Sequence, residues 1–460
     1  MKRITLFFFL LIFYLVFNFS RAAWATNGYQ LTGVGQMQNS MGGAVTAAPM
    51  DTMTAISNPA GMARVGERAD FSMEAFMPVR TVDFTSSSLG GEKTKGGSNL
   101  YGIPSVGWVA KAFNREDVYF GGGMFATSGL GVDYGQLLMM PGAALSLPKD
   151  VTFDGYSGIQ FWKMAPTVAW NVDDSLSFGI ALNLDYQSVT MRERIRNVPF
   201  WDVPPGPSTM TQRDVNFDLG RPTNQMGFGA SVGALYAVND LVTLGASYTS
   251  KQVFEDGIYR VGTNDILNFN GAVGLPGIYK LDLEYPQQAA IAIALHPDKV
   301  FLIDLDVKWI NWSDTHDKVR LKGPANSFTD GTNFFNSTNL NFGWKDQYVL
   351  ALGAQYKMTD RLNLRAGLNY AKSPIDEADV FNNLIFPALV ETHAAAGFDY
   401  QLGDHWGIGL TYMKAFKKTI TGKGDVPAGF DAATPFGSDS NAKISLEENS
   451  AGLLLSYKFK

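Results

Sequence analysis

Two basic residues stand where an inward-facing cation could bind a carboxylate. Lys308 follows Asp304 and Asp306 in a stretch where charged and apolar residues alternate, and Arg365 lies in a similar stretch. Successive side chains of a β-strand point to opposite faces, so both cations are predicted on the polar face of a strand. An arginine can bind a carboxylate through two hydrogen bonds. A structural role is the alternative, since Asp304 and Asp306 share the face of Lys308.

The remaining candidates for chemistry do not form a recognisable site. The four histidines, His296, His316, His393 and His405, show no metal-ligand spacing, and the chain has no cysteine. His393 is the best available base for a hydrolase, but no G-x-S-x-G or comparable nucleophile motif accompanies it. The sequence therefore predicts neither an enzyme nor a bound metal or cofactor.

The elements that carry these residues are strands with strictly alternating polarity. Between Leu176 and Tyr186 the apolar residues alternate with Ser177, Gly179, Ala181, Asn183 and Asp185, and similar runs recur near 303–309, 350–357, 362–370 and 406–412. One face suits hydrocarbon and the other a wet or small-residue interior, and the apolar runs have the length that a tilted strand needs to cross a bilayer. In a soluble β-sandwich the apolar face would be core instead. Each further long strand that ends in Tyr or Trp favours a membrane barrel over a soluble sandwich.

The pattern predicts an all-β fold, a transmembrane antiparallel β-barrel of about 14 strands, an even number as in bacterial single-chain barrels. The strands are expected near 68–84, 102–113, 117–130, 156–172, 174–191, 225–239, 241–258, 278–296, 299–313, 342–357, 361–373, 386–402, 405–420 and 443–459. Short periplasmic turns alternate with long external loops, among them 131–155 and 191–224. A closed sheet has no edge that demands a partner, so a monomer is expected.

The N-terminus and the composition fit a transmembrane barrel of the outer membrane. Residues 1–25 read as a signal peptide, with Lys2 and Arg3, an apolar run and the cleavage motif Ala23-Trp24-Ala25. The chain is 13% aromatic and carries 48 glycines, and its net charge of −6 argues against a nucleic-acid partner. We therefore expect a protein of the bacterial outer membrane, in contact with membrane lipids.

Residues 26–66 depart from the strand pattern and are rich in small residues and methionine, with Asn58-Pro59-Ala60 near their end. An exposed flexible tail is one interpretation. The other is a plug, because a barrel of about 14 strands is too wide for its own side chains to fill. The expected organisation is a hatch over 26–66 and a barrel over 67–460.

An ordered set of motifs resembles the FadL-type family of long-chain fatty acid transporters, which includes uptake channels for aromatic hydrocarbons. The matching residues are Asn27-Gly28-Tyr29-Gln30-Leu31, Ser57 to Met62, Gly343 to Tyr348, Ala351 to Tyr356, Leu364 to Ile375, Phe386-Pro387, Thr392-His393 and Gly397 to Tyr400. The resemblance implies a fourteen-stranded barrel with an N-terminal hatch. It further implies capture of a hydrophobic ligand in an external groove, passage to an inner pocket, and sideways exit where the third strand is kinked.

Two segments are candidates for these steps. The segment after the third predicted strand offers Leu137, Leu138, Met139, Met140, Leu145 and Leu147 as an apolar capture groove, although a helix packed on the rim would use the same residues as its core. The kink is expected at Gly121, Gly122 and Gly123, because consecutive glycines permit a bulge. Close packing against the hatch explains the same glycines equally well.

The predicted function is passive uptake of fatty acids or aromatic hydrocarbons by an outer-membrane channel. A structural or adhesive barrel is the alternative. The chain departs from the usual pattern of such barrels at its last residue, Lys460, which follows the expected terminal aromatic Phe459. This departure puts the efficiency of barrel assembly in doubt, but not the fold.

Overall fold

The computed structural model describes residues 24–25, 27–86, 90–97, 99–112, 114–202, 209–423 and 440–459. Residues 1–23, the bulk of the predicted signal peptide, lie outside this part, and Trp24–Ala25 pairs as a two-residue strand with Thr392 and Glu391. None of the helices in the described residues is long and apolar enough to cross a membrane.

Fourteen antiparallel strands form a closed barrel, as predicted. Strand β1 pairs with β14 from Arg68↔Lys458 to Ser86↔Ser440, which closes the sheet. The strands are β1 Arg68–Ser86, β2 Tyr101–Lys111, β3 Val118–Met140, β4 Val151–Met164 continuing as Thr167–Asn171, β5 Leu176–Asp202, β6 Thr209–Ala237, β7 Val242–Thr249, β8 Gln288–Asp298, β9 Phe301–Ile310, β10 Gln347–Lys357, β11 Leu362–Ala371, β12 Glu391–Leu402, β13 Trp406–Lys423 and β14 Ser440–Lys458.

The alternating pattern assigns the two faces of the wall correctly. On β5, Phe178, Ile180 and Leu182 are about half exposed, whereas Asn183 and Asp185 are fully buried. The same division on β9 exposes Leu305 and Val307 and buries Asp304 and Asp306. The apolar face is therefore outward, towards lipid, and the polar face is inward, because the interior is filled by other parts of the chain.

Several strands run further outward than the sequence suggests. The expected loops 131–155 and 191–224 are wrong in large part, since β3 reaches Met140, β5 reaches Asp202 and β6 starts at Thr209. Cross-strand ion pairs of Arg192 with Asp154 and of Arg194 with Asp218 support this extension. Its inward face is apolar and buried, with Val132, Phe153 and Val215, whereas its outward face is polar. A pattern that looks for an apolar lipid-facing side therefore does not detect it.

Smaller elements complete the outer end and the interior. Helices α1 Gly35–Ser40, α2 Thr54–Ser57 and the 3-10 turn Pro59–Ala63 lie in the N-terminal segment, and α3 Trp312–His316 follows β9. The 3-10 turns Gly142–Leu145, Glu377–Asp379 and Phe381–Asn383 lie in external loops. The remaining short strands are Gly90–Lys95, Val253–Phe254, Gly257–Val261, Ile266–Leu267, Gly277–Asp282, Lys318–Lys322, Phe328–Thr329, Phe334–Phe335 and Ser337–Asn341.

Candidate functional site

The N-terminal segment lies inside the barrel and is fixed to the wall by Asn58. The Asn58 side chain accepts a hydrogen bond from the Ala60 N–H at 3.2 Å and so caps the turn that starts at Pro59. Its amide donates to the carbonyls of Thr46 at 2.7 Å and of Ala234, on β6, at 3.1 Å. Asparagine is a favoured helix cap and proline a favoured first residue, so the local sequence explains this turn. The Asn-Pro-Ala motif thus joins two parts of the segment to the wall.

Two wall glycines provide the space for this motif. Gly179 on β5 is paired in register with Gly233 on β6. A Cβ on Gly233 would lie 1.9 Å from Asn58 Oδ1, and a Cβ on Gly179 would lie 2.3 Å from the carbonyl carbon of Pro59. Any side chain at either position would therefore push the N-terminal segment away from the wall.

The wall is incompletely paired between β2 and β3. The ladder joins Lys111↔Tyr119 through Ser105↔Phe125 and extends no further within the described residues of these strands. Beyond Phe125, β3 continues to pair with β4, although the register shifts between Ala126 and Ser128. A bulge of this kind bends the strand that carries it. Strand β3 thus leaves β2 half-way up the wall.

The edge of β3 that is released from β2 is bonded to the N-terminal segment. The Leu31 N–H donates to the Thr127 carbonyl at 3.0 Å, and the Gly129 N–H donates to the Tyr29 carbonyl at 3.1 Å. Gln30 forms the matching bridge to Ser128. Tyr29–Leu31, called the edge segment below, therefore occupies the place on β3 that β2 has left.

A cavity of about 250 Å³ lies beside this gap. Its lining includes Tyr101 and Ile103 of β2 and Ser128 to Val132 of β3, the two stretches that do not pair with each other. It also includes Ile159 and Gln160, neighbours on β4 that belong to opposite faces of the wall. This space, called the wall cavity below, extends from the inner side of the barrel towards its lipid side.

The predicted gate glycines lie just below this cavity. Gly121, Gly122 and Gly123 are paired with Val109, Trp108 and Gly107, so the ladder to β2 is intact there. On the other side the two segments of β4 are interrupted at Ala165 and Pro166, and a Cβ on Gly122 would lie 2.3 Å from the Ala165 carbonyl oxygen. Gly122 also has a φ of +137°, which favours glycine. The glycines hence form a bend at the foot of the opening.

The two predicted cations have different surroundings. Arg365 forms an ion pair with Asp399 and donates to Gln355 Oε1 at 2.8 Å. Lys308 forms no ion pair with any residue that the structure describes, and the Asp306 carboxylate instead accepts hydrogen bonds from the Val45 and Thr46 N–H groups. Arg365 is thus paired with a carboxylate, whereas Lys308 has no such partner among the described residues.

Lys308 faces a second cavity, of about 60 Å³, inside the barrel. Lys163, the other cation in its lining, lies 3.4 Å from Asp185 and donates to Gln252 at 3.1 Å. Leu31 of the edge segment lines both this inner cavity and the wall cavity. The edge segment therefore separates the two spaces. Sequence reasoning missed Lys163, although its alternation with Phe161 and Ala165 places it inward.

The outer end of the interior is closed by packed aromatic rings. Tyr29 contacts the rings of Tyr285, Trp312, His316 and Trp344 at centroid distances of 5.0–5.8 Å, and its hydroxyl lies 3.0 Å from Nε2 of His316. Burial lowers the pKa of His316 to about 3, so the ring is neutral. A small, entirely apolar cavity lies beside these rings and shares Leu130 and Ile159 with the wall cavity.

The expectation of an exposed apolar loop at Leu137 to Met140 is wrong. These residues belong to β3, paired as Leu137↔Phe153, Leu138↔Thr152 and Met140↔Val151, and Leu137, Met139 and Met140 are buried in the main apolar cluster. Leu138 is half-buried, Leu147 in the following loop is half-buried, and the side chain of Leu145 lies outside the described residues. These residues are apolar because they pack inside the extended β3–β4 hairpin. Composition alone cannot distinguish such a packed hairpin from an open apolar groove.

Neither a metal site nor a histidine-based active site is visible in the described part of the chain. No group of three or more His, Cys, Asp or Glu side chains in it could hold a metal ion. His393 is buried, and its ring lies 2.9 Å from Thr32 Oγ1, which joins β12 to the N-terminal segment.

Known proteins resemble this chain in sequence and in fold. It is 24% identical to the long-chain fatty acid transport protein of Escherichia coli over 92% of this chain and 95% of that protein. It is 27% identical to a 47 kDa outer membrane protein of Pasteurella multocida, but this chain spans only 51% of that relative's length. A FadL homologue of Pseudomonas aeruginosa superposes with a TM-score of 0.71, at 16% identity over 94% of this chain and all of the other.

The toluene transporter TodX of Pseudomonas putida has the same fold, with a TM-score of 0.65 and 21% identity over 94% of this chain and all of the other. The family model described as outer membrane protein transport protein (OMPP1/FadL/TodX) matches residues 18–459. The family is one of transport proteins rather than enzymes. The chain belongs to this family of outer-membrane transport proteins.

Proposed function

We propose that the protein takes up hydrophobic compounds across the outer membrane and releases them sideways through its wall. The observation that carries the proposal is the wall cavity, which lies where β2 and β3 are not hydrogen-bonded to each other. Elsewhere a closed ladder would bar passage between the interior and the bilayer. The substrates of the relatives, long-chain fatty acids and toluene, are the compounds that we propose for this chain.

The proposed path begins at the outer end. A ligand enters beside the packed aromatic rings, where Tyr29 and Trp344 line the small apolar cavity. It continues past Leu130 and Ile159 to the wall cavity. From there it leaves between β2 and β3, above the bend at Gly121 to Gly123, without an energy source. Residues 26–66 act as the hatch that prevents direct passage to the periplasm.

We propose Lys308 as the residue that binds a carboxylate, should the substrate be a fatty acid. Its ammonium faces the inner cavity and has no ion-pair partner among the described residues. Arg365 instead has a structural role, because its guanidinium already forms an ion pair with Asp399 and a hydrogen bond with Gln355. A neutral hydrocarbon would need no cation and could pass through the wall cavity directly. We expect the transporting species to be a monomer.

The test is uptake of labelled oleate and toluene by cells without a channel of their own. The informative variant is Gly129→Trp, which places a large side chain in the wall cavity, and a Cβ there lies at an ordinary 3.4 Å from the Ile159 carbonyl oxygen. Gly97→Trp is the matched control, since its Cβ meets only the Asp133 carbonyl oxygen at 3.6 Å. We expect Gly129→Trp to abolish uptake and Gly97→Trp to preserve it.

Equal uptake by both variants would contradict exit through the wall. Absence of uptake by the wild-type protein, although it is folded in the outer membrane, would favour a structural or adhesive barrel.

A further inference from the structure

A small external sheet continues the barrel wall beyond the membrane. Its four strands are Gly257–Val261, Gly277–Asp282, Lys318–Lys322 and Ser337–Asn341, paired in this order. Along the chain, the first of these strands comes after β7, the second before β8, the third after β9 and the fourth before β10. The external sheet therefore has the same strand order as the wall beneath it. Its outer face is therefore the upward continuation of the lipid-facing surface of β7–β10.

The two faces of the external sheet differ sharply. Tyr259, Tyr279, Leu281, Val319 and Leu321 are buried, and the Tyr259 hydroxyl donates to the Val189 carbonyl of β5 at 3.0 Å. This face is turned towards the barrel axis. The alternate residues point outward and include five cations, called the basic face below: Arg260, Lys280, Lys318, Arg320 and Lys322.

The basic face carries more positive charge than its own carboxylates neutralise. Lys280 is directly opposite Lys322 on the neighbouring strand, and like charges in this position destabilise a sheet. Asp282 is opposite Arg320, and Asp256 lies 3.6 Å from Lys280. Five cations and two carboxylates leave a local charge of +3, in a chain whose net charge is −6. An external anion would relieve this repulsion.

The position of the basic face along the membrane normal indicates which molecule supplies that anion. Directly below it, Tyr248 near the top of β7 and Tyr348 near the top of β10 are exposed, with Tyr348 69% exposed. Exposed aromatic rings mark the interface of a membrane barrel, and the apolar Ile291, Leu305 and Val307 lie further down. The cations are thus at the level of the head groups of the outer leaflet, beside the lipids rather than above the mouth of the barrel.

We propose that the basic face binds a phosphorylated glycolipid of the outer leaflet, with the lipid A type of head group. Lysines bind phosphate as point charges and arginines through two hydrogen bonds, so the five cations suit a disaccharide that carries two phosphates. Ile258 and Ile278, about half exposed on the same face, offer apolar contact to such an amphipathic partner. The site is separate from the uptake path and holds whether or not the protein transports anything.

The experiment is native mass spectrometry of the full-length protein in detergent, titrated with lipid A that carries both phosphates. Lipid A without phosphates and phosphatidylethanolamine are the comparison lipids, and inorganic phosphate is the soluble competitor. The wild type is expected to bind the phosphorylated lipid about tenfold more tightly than either comparison lipid, and the preference should shrink with added salt. Inorganic phosphate should displace little of the lipid.

The informative variant is K318Q/R320Q/K322Q, which should lose most of this preference, about tenfold in affinity. The matched control is K111Q/K299Q/R361Q, which removes three exposed cations at the periplasmic end and should bind like the wild type. If the first variant does not fold, R260Q/K280Q tests the other half of the same face.

Undiminished binding of phosphorylated lipid A by either basic-face variant would overturn the proposal. A wild type that does not distinguish the phosphorylated lipid from the comparison lipids would overturn it too. So would complete displacement by inorganic phosphate, because the site would then be one for free anions.

Discussion

The backbone N–H of Gly129 donates to the carbonyl of Tyr29 at 3.1 Å, across the boundary between wall and hatch. A wall strand would normally find this partner on its neighbour in the barrel. Here β3 has left β2, and the hatch supplies the partner instead. The edge segment is thus both part of the plug and the strand that pairs with β3 beside the wall cavity. We expect hatch and wall cavity to be coupled through these bonds.

Leu31→Pro tests this coupling. Proline removes the N–H that donates to the Thr127 carbonyl. One such bond contributes about 1 kcal/mol, so release of the β3 edge should become about fivefold more frequent. We expect faster uptake of toluene by cells and greater protease sensitivity near the hatch. Leu31→Ala keeps the N–H and is the control; equal behaviour of the two variants would show that the side chain, not the backbone bond, matters.

Gly233→Ala should displace the hatch, because its Cβ would lie 1.9 Å from Asn58 Oδ1. Overpacking of this kind costs about 1–3 kcal/mol. Thermal unfolding, followed by electrophoretic mobility, should shift to lower temperature. Adding Asn58→Gly removes the colliding oxygen, so the double variant should lose less stability than the sum of the two single changes. Additive losses would mean that the two residues are not in contact.

Lys308→Met and Arg365→Met should have different consequences. Loss of Lys308 should raise the KM for oleate about tenfold, since a charged hydrogen bond contributes about 1.5–3 kcal/mol, and should leave toluene uptake unchanged. Loss of Arg365 leaves Asp399 without its buried partner and should destabilise the barrel by about 3–5 kcal/mol. Uptake kinetics and thermal unfolding separate the two effects. An unchanged KM for oleate in Lys308→Met would remove Lys308 from the proposed path.

The contact between Tyr29 and His316 should weaken in acid. Burial lowers the pKa of His316 from 6.5 to about 3, so below pH 6.5 an exposed ring binds a proton that the buried ring does not. The buried arrangement therefore loses stability as the pH falls, by about 2 kcal/mol at pH 5. Magnetic resonance of labelled histidine should show one signal, absent in His316→Gln, that does not titrate between about pH 8 and pH 5. Titration of that signal near pH 6.5 would contradict the buried, neutral ring.

The sequence by itself determined the barrel and its two faces. The exposed Phe178, Ile180 and Leu182 and the buried Asn183 and Asp185 follow directly from a period of two, because each strand crosses one bilayer with one side in lipid. The inward position of Lys308 and Arg365 could also be predicted, since it depends on the same alternation.

The tertiary structure decided what those residues touch. Arg365 differs from Lys308 only because Asp399, on a neighbouring strand, is within reach of one and not of the other. Leu137 to Met140 are apolar whether they line an open groove or pack in a hairpin, so only the position of β4 settled their burial. The edge segment fills the gap between β2 and β3 by pairing with residues about a hundred positions further along the chain. No local sequence pattern encodes a contact of that range.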